Sequence, residues 1–314
     1  MKDTGPANIG KFQAPDITAK GEARAKVSLE RLDTLWFNTG TLCNITCVNC
    51  YIDSSPTNDA LAYLTLAEME SYLDEIADLG LTVREIGFTG GEPFMNPDFP
   101  DMLKAALARG YEVLVLTNAM RPMQRPLIKA RLLPLIEVYP EKLTFRVSLD
   151  HFSETHHDEM RGMGSFGITL EGMDWLRDAG ASLAVAARSL WHETDTATRA
   201  GFAALFAEKG YEIDASHPGK TVIFPEMDMT AEVPEITTAC WGILGKSPSD
   251  VMCATSRMVV KRKGADPSII ACTLLPYDTE FELGATLGEA MGDVALNHPH
   301  CAKFCVLGGA SCSA

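Results

Sequence analysis

The sequence has no apolar run approaching the ~20 residues a membrane-spanning helix needs, so no membrane span is expected. Its start, Met1-Lys2-Asp3-Thr4-Gly5-Pro6, lacks the basic-then-apolar pattern of a secretory signal. Basic residues are few: 27 against 42 acidic ones, a net charge of −15. A surface that acidic repels phosphate backbones, which excludes a dedicated nucleic-acid role. Low-complexity tracts and sequence repeats are missing too. The nine cysteines come without a secretion signal, which argues a reducing cytoplasm and metal chemistry rather than disulfides.

Three of those cysteines are crowded into Cys43-Asn44-Ile45-Thr46-Cys47-Val48-Asn49-Cys50, directly after the apolar run Thr34-Leu35-Trp36-Phe37-Asn38. Three thiolates on one loop can hold three corners of a [4Fe–4S] cluster and leave the fourth iron open to a small molecule, whereas four Cys is the usual complement. A zinc site would need a fourth Cys or His nearby, and none lies within about twenty residues. About forty residues on, Thr89-Gly90-Gly91-Glu92-Pro93 follows a second apolar run, Val83 to Phe88. Two glycines at a strand end let the backbone approach a ligand closely, and Glu92 can accept hydrogen bonds from a cationic amine.

Together these residues resemble the radical S-adenosylmethionine (SAM) superfamily. The resemblance implies that Cys43, Cys47 and Cys50 hold a [4Fe–4S] cluster and that Gly90, Gly91, Glu92 and Pro93 bind SAM, with its methionyl amine on this motif. Cleavage of SAM would then give a 5′-deoxyadenosyl radical that abstracts hydrogen from substrate, the cofactor carrying the chemistry and the protein orienting it. Asn49 stands where the family often has an aromatic residue or His, so the resemblance does not extend to how the adenine is held.

From Thr34 the chain alternates strand and helix signals. Strands are expected at Leu35–Phe37, Val83–Phe88, Glu112–Leu116, Leu143–Leu149, Ser182–Ala187 and Lys220–Phe224. Helices are expected after the capping box Thr65-Leu66-Ala67-Glu68, at 99–108, 122–136, 168–178 and 196–209. Residues 1–30 read as a loose arm, helical near Ala23–Leu32. Six βα units argue an α/β fold with a parallel sheet whose ligand site lies at the carboxyl ends of the strands. The resemblance implies a partial (βα)6 barrel spanning residues 31–234.

Three further strand ends are candidate SAM contacts: Asn118 for the ribose or carboxylate, Ser148 for the ribose, and Arg188 for the carboxylate through a charge-assisted fork. Asn118 also suits a bare turn and Arg188 a structural ion pair. His151, His156 and His157 read as helix-start or solvent-facing groups rather than ligands, with the role of substrate proton carrier open to any of them. The block Ser153 to Gly162, with Gly164-Ser165-Phe166 and Leu170-Glu171-Gly172, resembles the SPASM/twitch branch, which carries extra C-terminal clusters.

Past residue 235 six cysteines follow. Met258–Lys261 and Ser268–Ala271 read as a hairpin around Gly264, with Cys253 and Cys272 at its ends. The resemblance implies that residues 235–314 hold an auxiliary [4Fe–4S] cluster on Cys253, Cys272, Cys301 and Cys305, with Cys312 as an alternative ligand and Cys240 a packed thiol. Two spacings depart from the branch pattern: seven residues separate Gly264 from Cys272, and three separate Cys301 from Cys305. A zinc site of four thiolates remains open. The expected activity is that of a cytoplasmic radical SAM oxidoreductase or maturase acting on a small molecule or peptide. Flavodoxin or ferredoxin would serve as one-electron reductant, and a separate peptide-binding partner could assist. The competing readings are an iron–sulfur scaffold or electron carrier and a sulfur or methyl transferase.

Overall fold

The computed structural model describes residues 10–225 and 232–308. A short strand β1 (Lys26–Val27) precedes the first long one, β2 (Thr34–Asn38). Strand and helix then alternate: α1 (Leu66–Asp78), β3 (Glu85–Thr89), α2 (Phe99–Ala108), β4 (Glu112–Thr117), α3 (Arg121–Gln124), α4 (Pro126–Val138) and β5 (Leu143–Ser148). There follow α5 (Glu154–Arg161), α6 (Ser165–Asp178), β6 (Ser182–Arg188), α7 (Asp195–Lys209) and β7 (Thr221–Phe224). Beyond them lie α8 (Cys240–Leu244), β8 (Ser256–Lys261), β9 (Pro267–Ile270), β10 (Glu282–Gly284) and β11 (Val294–Ala295).

Strands β2 to β7 pair in parallel, each with the next in sequence, and form the expected partial (βα)6 barrel. The C-terminal hairpin is not separate from it. β8 pairs in parallel with β2 and antiparallel with β9, and β10 adds to β9, so the sheet runs on to nine strands.

Side-chain alternation along the strands divides the core in two. Leu35 and Phe37, Ile86 and Phe88, and Val113 and Val115 join the core beneath the helices. Trp36 and Leu114 join the inner one, which Met258, Val260 and Phe304 continue into the C-terminal segment. Gly87 is required at its position, because a Cβ there would stand 2.4 Å from the Trp36 ring.

Several helix boundaries follow from local chemistry. The capping box holds: Thr65 accepts from the Glu68 amide and Glu68 from the Thr65 amide. The stretch expected as one helix over 122–136 is two, because Pro126 keeps Arg125 out of helical conformation (ψ 135). Helix α5, unassigned in the sequence, precedes α6 across Gly162 and Gly164, both at positive φ.

The arm was expected to be helical near Ala23–Leu32 and is extended instead. β1 pairs with β11, and the Ala25 amide donates to the Ile236 carbonyl. Arg24 is buried in an ion pair with Glu235 at 2.5 Å, which ties the arm to the C-terminal segment.

Candidate active site

At the carboxyl ends of the strands lies a cavity of ≈160 Å³. Cys43, Cys47 and Cys50 line it together with Gly90, Gly91, Asn118, Ser148 and Arg188. The tertiary structure thus brings the three cysteines and five of the seven candidate SAM-binding residues to one wall. Glu92 and Pro93 are buried behind that wall.

The glycines act on the cysteine loop itself. A Cβ on Gly91 would stand 2.2 Å from the Leu42 carbonyl oxygen, and one on Gly90, at φ +140, would stand 2.6 Å from that of Gly40. Their absence lets the Gly91 amide donate to Gly40 and the Glu92 amide to Leu42, at 2.8 and 3.2 Å. The chain leading into Cys43 is therefore laced to the end of β3.

Glu92 organises the next strand end. Its carboxylate accepts from the Thr117 hydroxyl at 2.8 Å, the Asn118 amide at 2.9 Å and the Phe94 amide at 3.3 Å. Burial nevertheless pushes its carboxyl up to about 7. Asn118 in turn donates from Nδ2 to Asn44 Oδ1 at 3.0 Å, bridging β4 to the cysteine loop.

Arg188 takes a position that the sequence left between two readings. Its Nη1 and Nη2 donate to the Val48 and Asn49 carbonyls, both at 3.1 Å, and its guanidinium lies 5.1 Å from the Tyr51 ring centre. It also approaches Asp150 at 3.5 Å. The residue fastens the loop between Cys47 and Cys50 and keeps a face on the cavity.

Two cavity residues escaped the sequence reading. Asp150, 2 % exposed, follows β5, and Arg161 ends α5 and grips it with Nε and Nη2. Burial alone would push the Asp150 carboxyl up, but Arg161 and then Arg188 hold it below the usual carboxylate range. A charged residue directly after a barrel strand was the available signal for Asp150; Arg161 stood within the Ser153–Gly162 block, but with α5 unassigned nothing there pointed to a contact with Asp150.

The histidine assignments need correction. His151 does serve the start of α5, accepting from the Ser153 amide at 3.0 Å, but it is buried and paired with Glu193 at 3.1 Å. His157 is fully buried inside α5, and burial pushes its imidazole down to about 4. Only His156 is partly exposed, its ring stacked on Trp191 at 4.8 Å.

A second, smaller cavity is lined by Cys253, Cys272, Cys301 and Cys305 among apolar side chains. Cys301 and Cys305 sit on a π-helical turn spanning Cys301–Leu307. Burial pushes the Cys253 thiol up to about 11 and the Cys301 thiol up to about 12. Its free volume of ≈20 Å³ admits about one water, so a larger group enters only with the thiols turned back. Among the described residues, no three Cys, His, Asp or Glu side chains converge as the donor set of a single ion would. The volume beside Cys43, Cys47 and Cys50 has room for a cluster, and the four C-terminal thiols supply the donor chemistry of one once they turn back. Leu274 lines both cavities. Cys240 lies apart, accepting from the Thr237 amide at 3.4 Å, and Cys312 lies outside the described residues.

Residues 37–188 match the model of the radical SAM superfamily. Over 191 residues the chain is 29% identical to the antilisterial bacteriocin subtilosin biosynthesis protein AlbA of Bacillus subtilis, covering 59% of this chain and 40% of AlbA. It is 30% identical over 138 residues to the mycofactocin maturase MftC of Mycobacterium ulcerans, covering 44% of this chain and 34% of MftC. The chain thus spans well under half the length of these relatives. Its fold is similar to that of Streptococcus suis SuiB bound to S-adenosylmethionine, with a TM-score of 0.59 and 12% identity over 82% of this chain and 64% of SuiB. It also resembles anSMEcpe with bound AdoMet, with a TM-score of 0.58 and 15% identity over 84% of this chain and 81% of anSMEcpe. Motif, barrel and relatives agree: residues 37–188 are a radical SAM domain, of a family that uses SAM and a [4Fe–4S] cluster, and the relatives support its SPASM/twitch branch.

Proposed function

We propose that the protein is a radical SAM maturase in which Cys43, Cys47 and Cys50 hold the SAM-binding [4Fe–4S] cluster. The observation that carries this is the single cavity shared by those three thiols, the Gly90-Gly91 turn, Asn118, Ser148 and Arg188. Bound there, the cluster and SAM would supply one-electron cleavage of the sulfonium and a 5′-deoxyadenosyl radical that takes a hydrogen from substrate.

The chain's own residues prepare the site. Gly90, Gly91 and Arg188 fix the cysteine loop. Asn118 and Ser148 offer polar groups to the ribose and carboxylate. Glu92 reaches the methionyl amine's side of the site only through the strand ends it holds, so its role is positioning. Asp150 is shared by Arg161 and Arg188, which leaves this side of the cavity polar and with one net positive charge.

Cys253, Cys272, Cys301 and Cys305 would hold an auxiliary cluster, and the lining of both cavities by Leu274 supports a cluster adjacent to the SAM site. The substrate is a peptide or a small molecule. The bacteriocin biosynthesis protein among the relatives and the precursor peptide bound to SuiB in another structure favour the peptide. The setting is cytoplasmic, with a flavodoxin or ferredoxin as electron donor; no helix among the described residues is long and apolar enough to cross a membrane.

The test is anaerobic reconstitution followed by assay of 5′-deoxyadenosine with dithionite, with iron and sulfide counted for wild type and for Cys43/Cys47/Cys50→Ala. Cleavage by wild type alone, with about half the iron surviving in the triple variant, supports one SAM-binding and one auxiliary cluster. A fully loaded wild type that leaves SAM intact with and without candidate peptides would return the protein to the electron-carrier reading.

A further inference from the structure

Arg257, on β8, is 1% exposed. Its guanidinium donates to four backbone carbonyls: Nε to Ala290 at 2.9 Å, Nη1 to Cys253 at 2.6 Å and Ser256 at 2.8 Å, and Nη2 to Gly292 at 3.1 Å. Carbonyl dipoles satisfy its donors but supply no opposite charge. Among the described residues no carboxylate lies within ion-pairing reach of it. Arg24, Arg161 and Arg188 differ: Arg24 has Glu235, and Arg161 and Arg188 share Asp150. A buried charge without a partner is costly, so its persistence calls for a compensating anion.

The position of Arg257 says which anion. It lies one turn beyond Cys253, bonded to that residue's carbonyl, and Cys253 opens onto the apolar cavity it shares with Cys272, Cys301 and Cys305. Metal binding there requires four thiolates in place of four thiols, and four thiolates around a cluster core carry net negative charge. Fixed charges and hydrogen bonds near the sulfurs are what a protein uses to set a cluster's potential.

We propose that Arg257 is the built-in counter-ion of the cluster held by Cys253, Cys272, Cys301 and Cys305, and that its fixed charge raises that cluster's reduction potential and secures its retention. The proposal rests on the auxiliary-cluster reading above. Arg257 is a positioning and tuning residue: it touches no substrate.

The experiment uses the Cys43/Cys47/Cys50→Ala protein, so that only the C-terminal site is loaded. Iron and sulfide are counted, and the midpoint potential is read by a redox titration followed by electron paramagnetic resonance. Arg257→Gln is expected to move the midpoint to more negative potential and to speed iron loss to a chelator, and Arg257→Lys to restore most of both. Should Arg257→Gln fail to fold, Gly292→Asp gives the same answer with the arginine in place. A Cβ at Gly292 meets nothing within 4 Å, the backbone there is ordinary (φ −70), and the new carboxylate would sit on the residue whose carbonyl the guanidinium already holds. It should lower the midpoint, and Gly292→Asn should not. A fully loaded Arg257→Gln or Gly292→Asp protein with an unmoved midpoint overturns the proposal, as does equal loss in Arg257→Gln and Arg257→Lys. Zinc, or no metal, at the four cysteines of the unmutated protein overturns the cluster reading beneath it.

Discussion

Arg161 clasps Asp150 through two hydrogen bonds, 2.8 and 3.0 Å, and the pair lies in the wall of the cavity that holds Cys43, Cys47 and Cys50. The clasp joins the end of β5 to the end of α5, and the Met160 carbonyl beside it accepts from the Val48 amide of the cysteine loop at 2.8 Å. Breaking a buried pair leaves one charge uncompensated, at a cost of about 3–5 kcal/mol. Arg161→Ala leaves Asp150 to Arg188 at 3.5 Å and should destabilise the metal-free protein by less than that in denaturant unfolding, whereas Asp150→Asn, which strands two cations, should cost about the full amount. A loss under about 1 kcal/mol in both would mean that solvent reaches the pair.

Gly91→Ala should damage the first metal site selectively. The new Cβ would stand 2.2 Å from the Leu42 carbonyl, a backbone atom that cannot step aside without moving Cys43. Reconstituted Gly91→Ala is expected to lose about half its iron, with the C-terminal site still loaded. Gly167→Ala on α6 is the control: its Cβ meets nothing, and Ala favours a helix over Gly by about 1 kcal/mol. Full iron in Gly91→Ala would show that the loop can be seated another way.

Arg188 holds two successive carbonyls, a task for a planar fork rather than a point charge. Arg188→Lys should thus behave nearly like Arg188→Ala. Hydrogen exchange at residues 47–51 of the metal-free protein should rise in both variants, by about tenfold or more if roughly 1.4 kcal/mol of local protection is lost. Unchanged exchange would assign the loop's order to Asn118 and Val48 alone.

Glu92 makes stability pH-dependent. Its carboxyl titrates near 7 in the folded chain, against an ordinary 4.5. The folded state keeps the proton that the unfolded state gives up, so the contribution is complete below pH 4.5 and is lost as pH rises through 7. The difference is about 3 kcal/mol. Over that window metal-free wild type should lose stability relative to Glu92→Gln, because the depressed imidazoles of His157 and His300, which gain stability as pH rises, act equally on both proteins. An identical slope in wild type and variant would show that Glu92 does not carry the difference.

Much of this molecule was legible before folding was considered. The spacing of Cys43, Cys47 and Cys50, the Gly90-Gly91-Glu92-Pro93 turn and six apolar runs alternating with helical periodicity define a parallel barrel with its site at one end. Those signals are local: a strand is read from β-branched and apolar runs, a cap from Thr65 and Glu68, and a metal loop from three neighbouring thiols. Pro126 shows the limit even of local reading, since a proline tolerated at a helix start can equally divide two helices.

What only the tertiary structure decided are pairings between distant residues. No periodicity announces that Arg188 reaches back to Val48, that Arg161 answers Asp150, or that the extended arm pairs β1 with β11 rather than forming a helix. Nor does it show that the hairpin β8–β9 continues the barrel sheet beside β2, bringing Leu274 to the wall shared by both cavities. A buried charge must find its partner in space, and sequence distance sets no bound on where that partner lies. The cysteines named the chemistry; the fold chose which charges stand beside them.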